Sequence, residues 1–391
     1  MRNLIGTIIL LLILSATVMA DEFLYEPLIH GKLTGEVAEH EVKKFAHEYH
    51  QHIEEELGFR LLYEQYIESI GVQNIANVLE TEYCHGEAHS LGKIIAARVA
   101  DLKTGMKICG DTCTYGCLHG LFQVYFHQLG RDYHEHNQHS GKHPPHEMEA
   151  DKKGTHVVLT DAELAQLSRD ANKACKESHS IVEGFFQGNC AHGIGHALGK
   201  LGNKAVLSKS YCKIFPHPDL QYYCETGVFM ELSSQLEDNL FADAETRSED
   251  IRIALTYCHQ ESNYPSSCLR FLLLDNNNLG HITRYAYFCA KQGGLMRTHC
   301  FNSLGFHSRE YVAHNPSEIV YTCSMGDMED QDACISGLAL MKKGHEYREK
   351  IKSACLLLEN DAQKEFCGNQ VSKYYYQLGN DYFSGLLTKS Q

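Results

Sequence analysis

The chain carries 391 residues, with 35 Lys and Arg against 50 Asp and Glu, a formal charge of −15 at pH 7, and 25 histidines but no tryptophan. Acidic residues are scattered rather than clustered, and that balance argues against nucleic acid and anionic membrane as partners. Sixteen cysteines, an even number, point to a disulfide framework in an oxidising compartment rather than to cytosolic thiol chemistry.

Arg2, an apolar run from Leu4 to Val18 and the small-residue end Val18-Met19-Ala20 read as a secretory signal peptide over residues 1–20. The run is too short to span a bilayer comfortably, and no later run is apolar enough to cross one. The expectation is an exported chain, periplasmic or extracellular after cleavage near Ala20, with no stable membrane insertion. Residues 21–80 read as an N-terminal helical segment, in which "HEYHQHIEEE" (47–56) sets His47, His50 and His52 on a solvated face.

From there on the cysteines keep time. They fall into couples, 109/117, 175/190, 212/224, 258/268, 289/300, 323/334 and 355/367, with spacings of 8 to 15 residues within a couple. Cys84 and Cys113 remain as the eighth pair. The steps 84→117, 190→224, 268→300, 300→334 and 334→367 are 33, 34, 32, 34 and 33 residues. The longer step 224→268 is consistent with an insertion around "SQLEDNLFADAETRSED". A period near 33 is that of helix–turn–helix repeat arrays. Segments such as "CISGLALMKKGHEYREKIKSAC" show helical apolar spacing without strand-like alternation. The fold class expected is all-α: an array of helical hairpins (αα repeats) of about 33 residues, stapled by disulfides.

A larger period lies above this one. Aligning His85, His192 and Asn302 gives gaps of 107 and 110 residues, and from each the next unit's cysteine (Cys117, Cys224, Cys334) lies 32 further on. Three modules follow: 81–187, with a histidine-rich insertion at 130–157, then 188–297, then a degenerate third at 298–391. Within the insertion, "DYHEHNQHSGKHPPHEME" (132–149) reads as a loop whose histidines could capture metal loosely.

The chemistry sits in a repeated phrase. "EYCHGEAHSLGKII" (82–95) and "GNCAHGIGHALGKL" (188–201) share H-G-x-x-H-x-L-G-K. A helix puts positions i and i+4 on one face, which is how two imidazoles commonly hold one metal ion. His85, His89, His192 and His196 are therefore candidate ligands. His119, two residues after Cys117 as His192 is after Cys190, is a fifth; its alternative role is a helix cap. The third module has Asn302 and Phe306 at the paired positions, so the fold itself does not require the histidines. Gly86, Gly193 and Gly195 suggest close approach of another helix or a ligand to this face.

With every cysteine paired, the metal expected is zinc, with copper or iron as alternatives. His85, His89 and His119 lie in adjacent units and can share one ion. His192 and His196 either join that ion or form a second site completed by Glu231 or water. The expected role is metal handling. One alternative is a metal-dependent hydrolase or oxidoreductase with Glu87 or Glu231 as general base. The other is an interaction scaffold that takes a protein or peptide on a concave face, its histidines structural.

Overall fold

The structure is a computed structural model and describes residues 25–54, 58–81, 84–138, 159–182, 187–202, 209–240, 247–272, 279–339 and 345–372. The signal-peptide reading and most of the 130–157 insertion lie outside these residues. Every regular element among the described residues is helical. All sixteen cysteines are bonded in the eight couples expected from their spacing, Cys84–Cys113 included. No described helix is long and apolar enough to cross a membrane.

The chain divides into two compact units. The first comprises residues 1–121 and 181–183, the second 122–180 and 184–391. In the first unit, helix α1 (Gly35–Glu54) packs on α2 (Arg60–Leu79), followed by α3 (His85–Ala96), α4 (Leu102–Cys109) and the opening of α5 (Thr112–Gln138). Phe45, Tyr49, Tyr63 and Tyr66 fill the α1–α2 interface. On α1 His47 and His50 are exposed and His52 is half-buried, as a solvated face predicts.

The second unit takes the rest of α5 and α6 (Asp161–Ile181) up to Ser180, then α7 (Gln187–Gly202), α8 (Pro218–Leu240), α9 (Arg247–Glu261), α10 (Pro265–Leu272) and α11 (Leu279–Ala290). It continues with α12 (Gly294–His314), α13 (Ile319–Cys323), α14 (Met328–Leu338), α15 (His345–Cys355) and α16 (Asp361–Ser372). Here α7 packs on α8, α8 on α10, α10 on α12 and α12 on α14. One expectation needs correction. Residues 132–138 are not loop, because α5 continues through Gln138; Gln128 donates to Asp132 one turn on (2.7 Å), the side-chain pairing that a helix surface favours.

Three helix pairs share one contact. On α7, a Cβ added to Gly195 would lie 2.1 Å from the carbonyl oxygen of Cys224, and one on Gly227 of α8 would lie 2.0 Å from that of His192. On α12 and α14 the same reciprocal fit joins Gly305 to Cys334 (1.9 Å) and Gly337 to Asn302 (1.8 Å). On α3 and α5 it joins Gly92 to Cys117 (1.9 Å) and Gly120 to His89 (2.0 Å). Backbone thus meets backbone where any other residue would hold the helices apart.

These contacts fall at different turns of the repeated phrase. Gly195 and Gly305 stand three residues after His192 and Asn302, and Gly92 stands three after His89. Packing therefore matches His89, not His85, with His192 and Asn302. The phrase in the first unit is docked one helical turn away from its echo. Ala88 occupies the position of Gly195, and its Cβ would not fit against a carbonyl as the glycine does. Gly116 leaves room for this docking, since a Cβ added there would lie 2.3 Å from the His85 carbonyl oxygen and 3.1 Å from the Ala88 Cβ. Gly86, by contrast, has nothing within 4 Å of its would-be Cβ, so it serves no close approach to another helix.

Glycine substitutions should separate these roles. Gly195→Ala is expected to destabilise by about 1–3 kcal/mol, as overpacking does, whereas Gly86→Ala should be neutral or stabilise by up to about 1 kcal/mol. Chemical denaturation of both variants checks this; equal effects would contradict the contact.

Candidate metal centre

In the first unit α3 carries His85 and His89 on one face and α5 brings His119 against them. Their ring centroids lie 5.0–5.6 Å apart, and one nitrogen from each comes within 4.8 Å of the others. His119 is only 2% exposed and sits well inside α5, so it does not cap the helix start. Its Nδ1 is 3.3 Å from His85 Nε2. His85 Nδ1 lies 3.2 Å from the Cys113 carbonyl. A carbonyl only accepts, so His85 carries its proton on Nδ1 and turns the Nε2 lone pair towards His119.

The backbone that offers this carbonyl is held from several sides. Cys113 has a positive φ of 53° and Tyr115 one of 68°, a conformation that non-glycine residues seldom adopt. The Cys84–Cys113 disulfide ties this strand of chain to the residue before His85. Glu80 adds a carboxylate oxygen that accepts the Cys113 N–H at 3.3 Å. Such cost is tolerated where the surroundings determine the geometry.

In the second unit His192 and His196 occupy one face of α7, with ring centroids 4.9 Å apart and Nε2 atoms 3.3 Å apart. Each ring has its other nitrogen committed. Thr226 of α8 gives its hydroxyl proton to the Tyr223 carbonyl (2.6 Å), so its oxygen receives the Nδ1–H of His192 at 2.8 Å. His196 Nδ1 points at Glu231 Oε2, 3.2 Å away, and the same oxygen accepts from Gln123 Nε2 at 2.6 Å. His196 and Gln123 are buried while Glu231 is 21% exposed.

Two imidazoles that both carry hydrogen on Nδ1 direct two Nε2 lone pairs at each other. At 3.3 Å that arrangement is repulsive unless a cation lies between them. For metal–nitrogen bonds of about 2.0–2.1 Å in tetrahedral geometry, two donors stand about 3.3–3.4 Å apart. Both close nitrogen pairs, His85–His119 and His192–His196, have that spacing. A carboxylate or hydroxyl on the far nitrogen is the usual way to fix the tautomer of a ligating histidine. Three histidines in the first unit can thus hold a metal ion, and the His192–His196 pair is oriented in the same sense.

Glu231, expected as a ligand or a general base, sits instead behind His196, on its non-facing nitrogen. Glu87, two residues after His85, belongs to another face of α3, where its charge helps burial to raise the Tyr63 phenol. Thr226, Gln123 and the Cys113 carbonyl were not singled out by sequence. Thr226 shares the second position after a cysteine with His119 and His192, and that was the available signal. Comparison of the chain with protein-family models, with curated proteins and with solved structures finds no match.

Removing the groups behind the rings should weaken metal binding without unfolding the protein. Glu231→Gln and Thr226→Val are each expected to lower affinity about 10- to 100-fold, and Thr226→Ser to restore it. Competition with a chromophoric chelator measures this. Wild-type affinity in all three variants would show that these contacts orient nothing.

Proposed function

We propose that the protein is an exported, disulfide-stapled helical-repeat protein that binds metal, and that zinc is its ion. The observation that carries this is the pair of facing imidazole nitrogens at 3.3 Å, each ring held in the matching tautomer from behind. Neutral nitrogen donors suit zinc, and the disulfides leave no thiolate among the cysteines to favour a softer ion. Eight disulfides support an oxidising compartment, periplasmic or extracellular. The recurring glycine contacts of α3/α5, α7/α8 and α12/α14 support a three-copy array.

Metal handling is favoured over catalysis. Glu231 is engaged by both Gln123 and His196, which suits a group that orients a ligand rather than a base that must take up a substrate proton. The first centre uses His85, His89 and His119. The second uses His192 and His196, with water or a cargo ligand completing the shell.

Elemental analysis of protein purified without added metal should find two ions per chain. His196→Phe, which copies Phe306 at the matching place in the third helix pair, should retain the fold and lose one ion; His119→Phe should lose the other. Protons compete for the imidazole nitrogens, so affinity should fall as pH drops through about 6–7, where ordinary histidine titrates. A chain that stays fully loaded in both variants, or holds no metal at all, would refute the proposal.

A further inference from the structure

The third helix pair, α12 on α14, has the same glycine contacts as the second but Asn302 and Phe306 in place of His192 and His196. Those two residues are far from idle. Arg270, on α10, is 2% exposed and directs Nη2 at Asn302 Oδ1, 3.4 Å away. Its guanidinium carbon stands 4.7 Å from the Phe306 ring centre and 5.1 Å from that of Tyr222. Asn302 donates its own Nδ2–H to the Ala333 carbonyl at 3.3 Å, which sets the amide so that its oxygen faces the guanidinium. Among the described residues Arg270 has no carboxylate partner; what surrounds it is an amide oxygen and two ring faces.

We infer that the third pair supplies its own cation: the Arg270 guanidinium takes, between positions 302 and 306, the place that His192 and His196 leave to a metal ion in the second. The inference rests on the metal reading of that second pair. It accounts for both replacements at once. Asparagine offers an acceptor oxygen to N–H donors where an imidazole lone pair would serve a metal. Phenylalanine offers a negative ring face, which attracts a desolvated guanidinium. Arginine cannot lose its charge in a protein, so this site is permanently filled and closed to divalent ions. His299, 1% exposed, bonds through Nδ1 to Ser266 Oγ at 2.7 Å, and burial together with the Arg270 charge lowers its pKa to about 3, so it adds no second charge. Arg309 lies over the same Phe306 ring, 3.8 Å from its centre, so a second guanidinium shares that ring with Arg270.

The test converts the third pair into the second. Asn302→His/Phe306→His with Arg270 kept should hold the wild-type number of metal ions, because the guanidinium still fills the place. Adding Arg270→Ala to that double variant should raise the content by one ion per chain. A gain already in the double variant, or none in the folded triple variant, would overturn the inference. Wild type measured alongside separates the two readings: no metal in wild type defeats the metal proposal, whereas two ions in both wild type and triple variant defeat this one. A second measurement covers a triple variant that fails to fold, or a metal-free wild type. Thermal unfolding in phosphate and in chloride at equal ionic strength should differ only by the gradual, non-saturating stabilisation that phosphate gives any fold, equal in wild type and Arg270→Gln. A saturable phosphate-specific rise that disappears in Arg270→Gln would mean that the guanidinium is an anion receptor, not an internal cation.

Discussion

The arrangement of this protein depends on helices that touch through backbone. Wherever a glycine on one helix rests on a carbonyl of the next, and is answered by a glycine three residues beyond the facing cysteine, the axes come as near as two helices can. Side chains one turn from that contact are then pressed together across the interface. In the α7–α8 pair this brings His192 against Thr226 and His196 against Glu231. The disulfides hold successive hairpins within reach, but the glycines set the distance between imidazoles that face each other across helices.

The same constraint produces three outcomes from nearly the same phrase. Where Ala88 blocks the contact, the helix slides one turn and three histidines meet. Where Gly195 permits it, two histidines face each other with a carboxylate and a hydroxyl behind them. Where Gly305 permits it but the imidazoles are gone, Arg270 fills the gap. Alanine or glycine at that position sets which turn of the helix docks, and the residues one turn away then set which groups converge there.

Much of this could be read from the sequence. The cysteine couples anticipated seven disulfides, because bonds that close short loops within helical hairpins are legible as spacing alone, and Cys84–Cys113 followed as the remaining pair. The four-residue histidine spacing anticipated a shared helical face for the same reason. The docking register was not legible: a repeated phrase does not say which turn of the facing helix it meets, and Ala88 at the contact position was the unused clue. Thr226, Gln123 and the Cys113 carbonyl escaped because they come from elements 28 or more residues away from the rings they serve. Arg270 was missed although it stands second after Cys268, where His119, His192 and Asn302 stand after theirs.

Paired imidazoles that hold a metal ion must show themselves in that ion's first shell. X-ray absorption at the zinc edge, on protein purified from its own compartment without added metal, tests it most directly. The expected result is a first shell of nitrogen and oxygen only, at about 2.0–2.1 Å, with the outer-shell scattering of imidazole rings. A sulfur shell at about 2.3 Å, or an absorber without imidazole scattering, would contradict it.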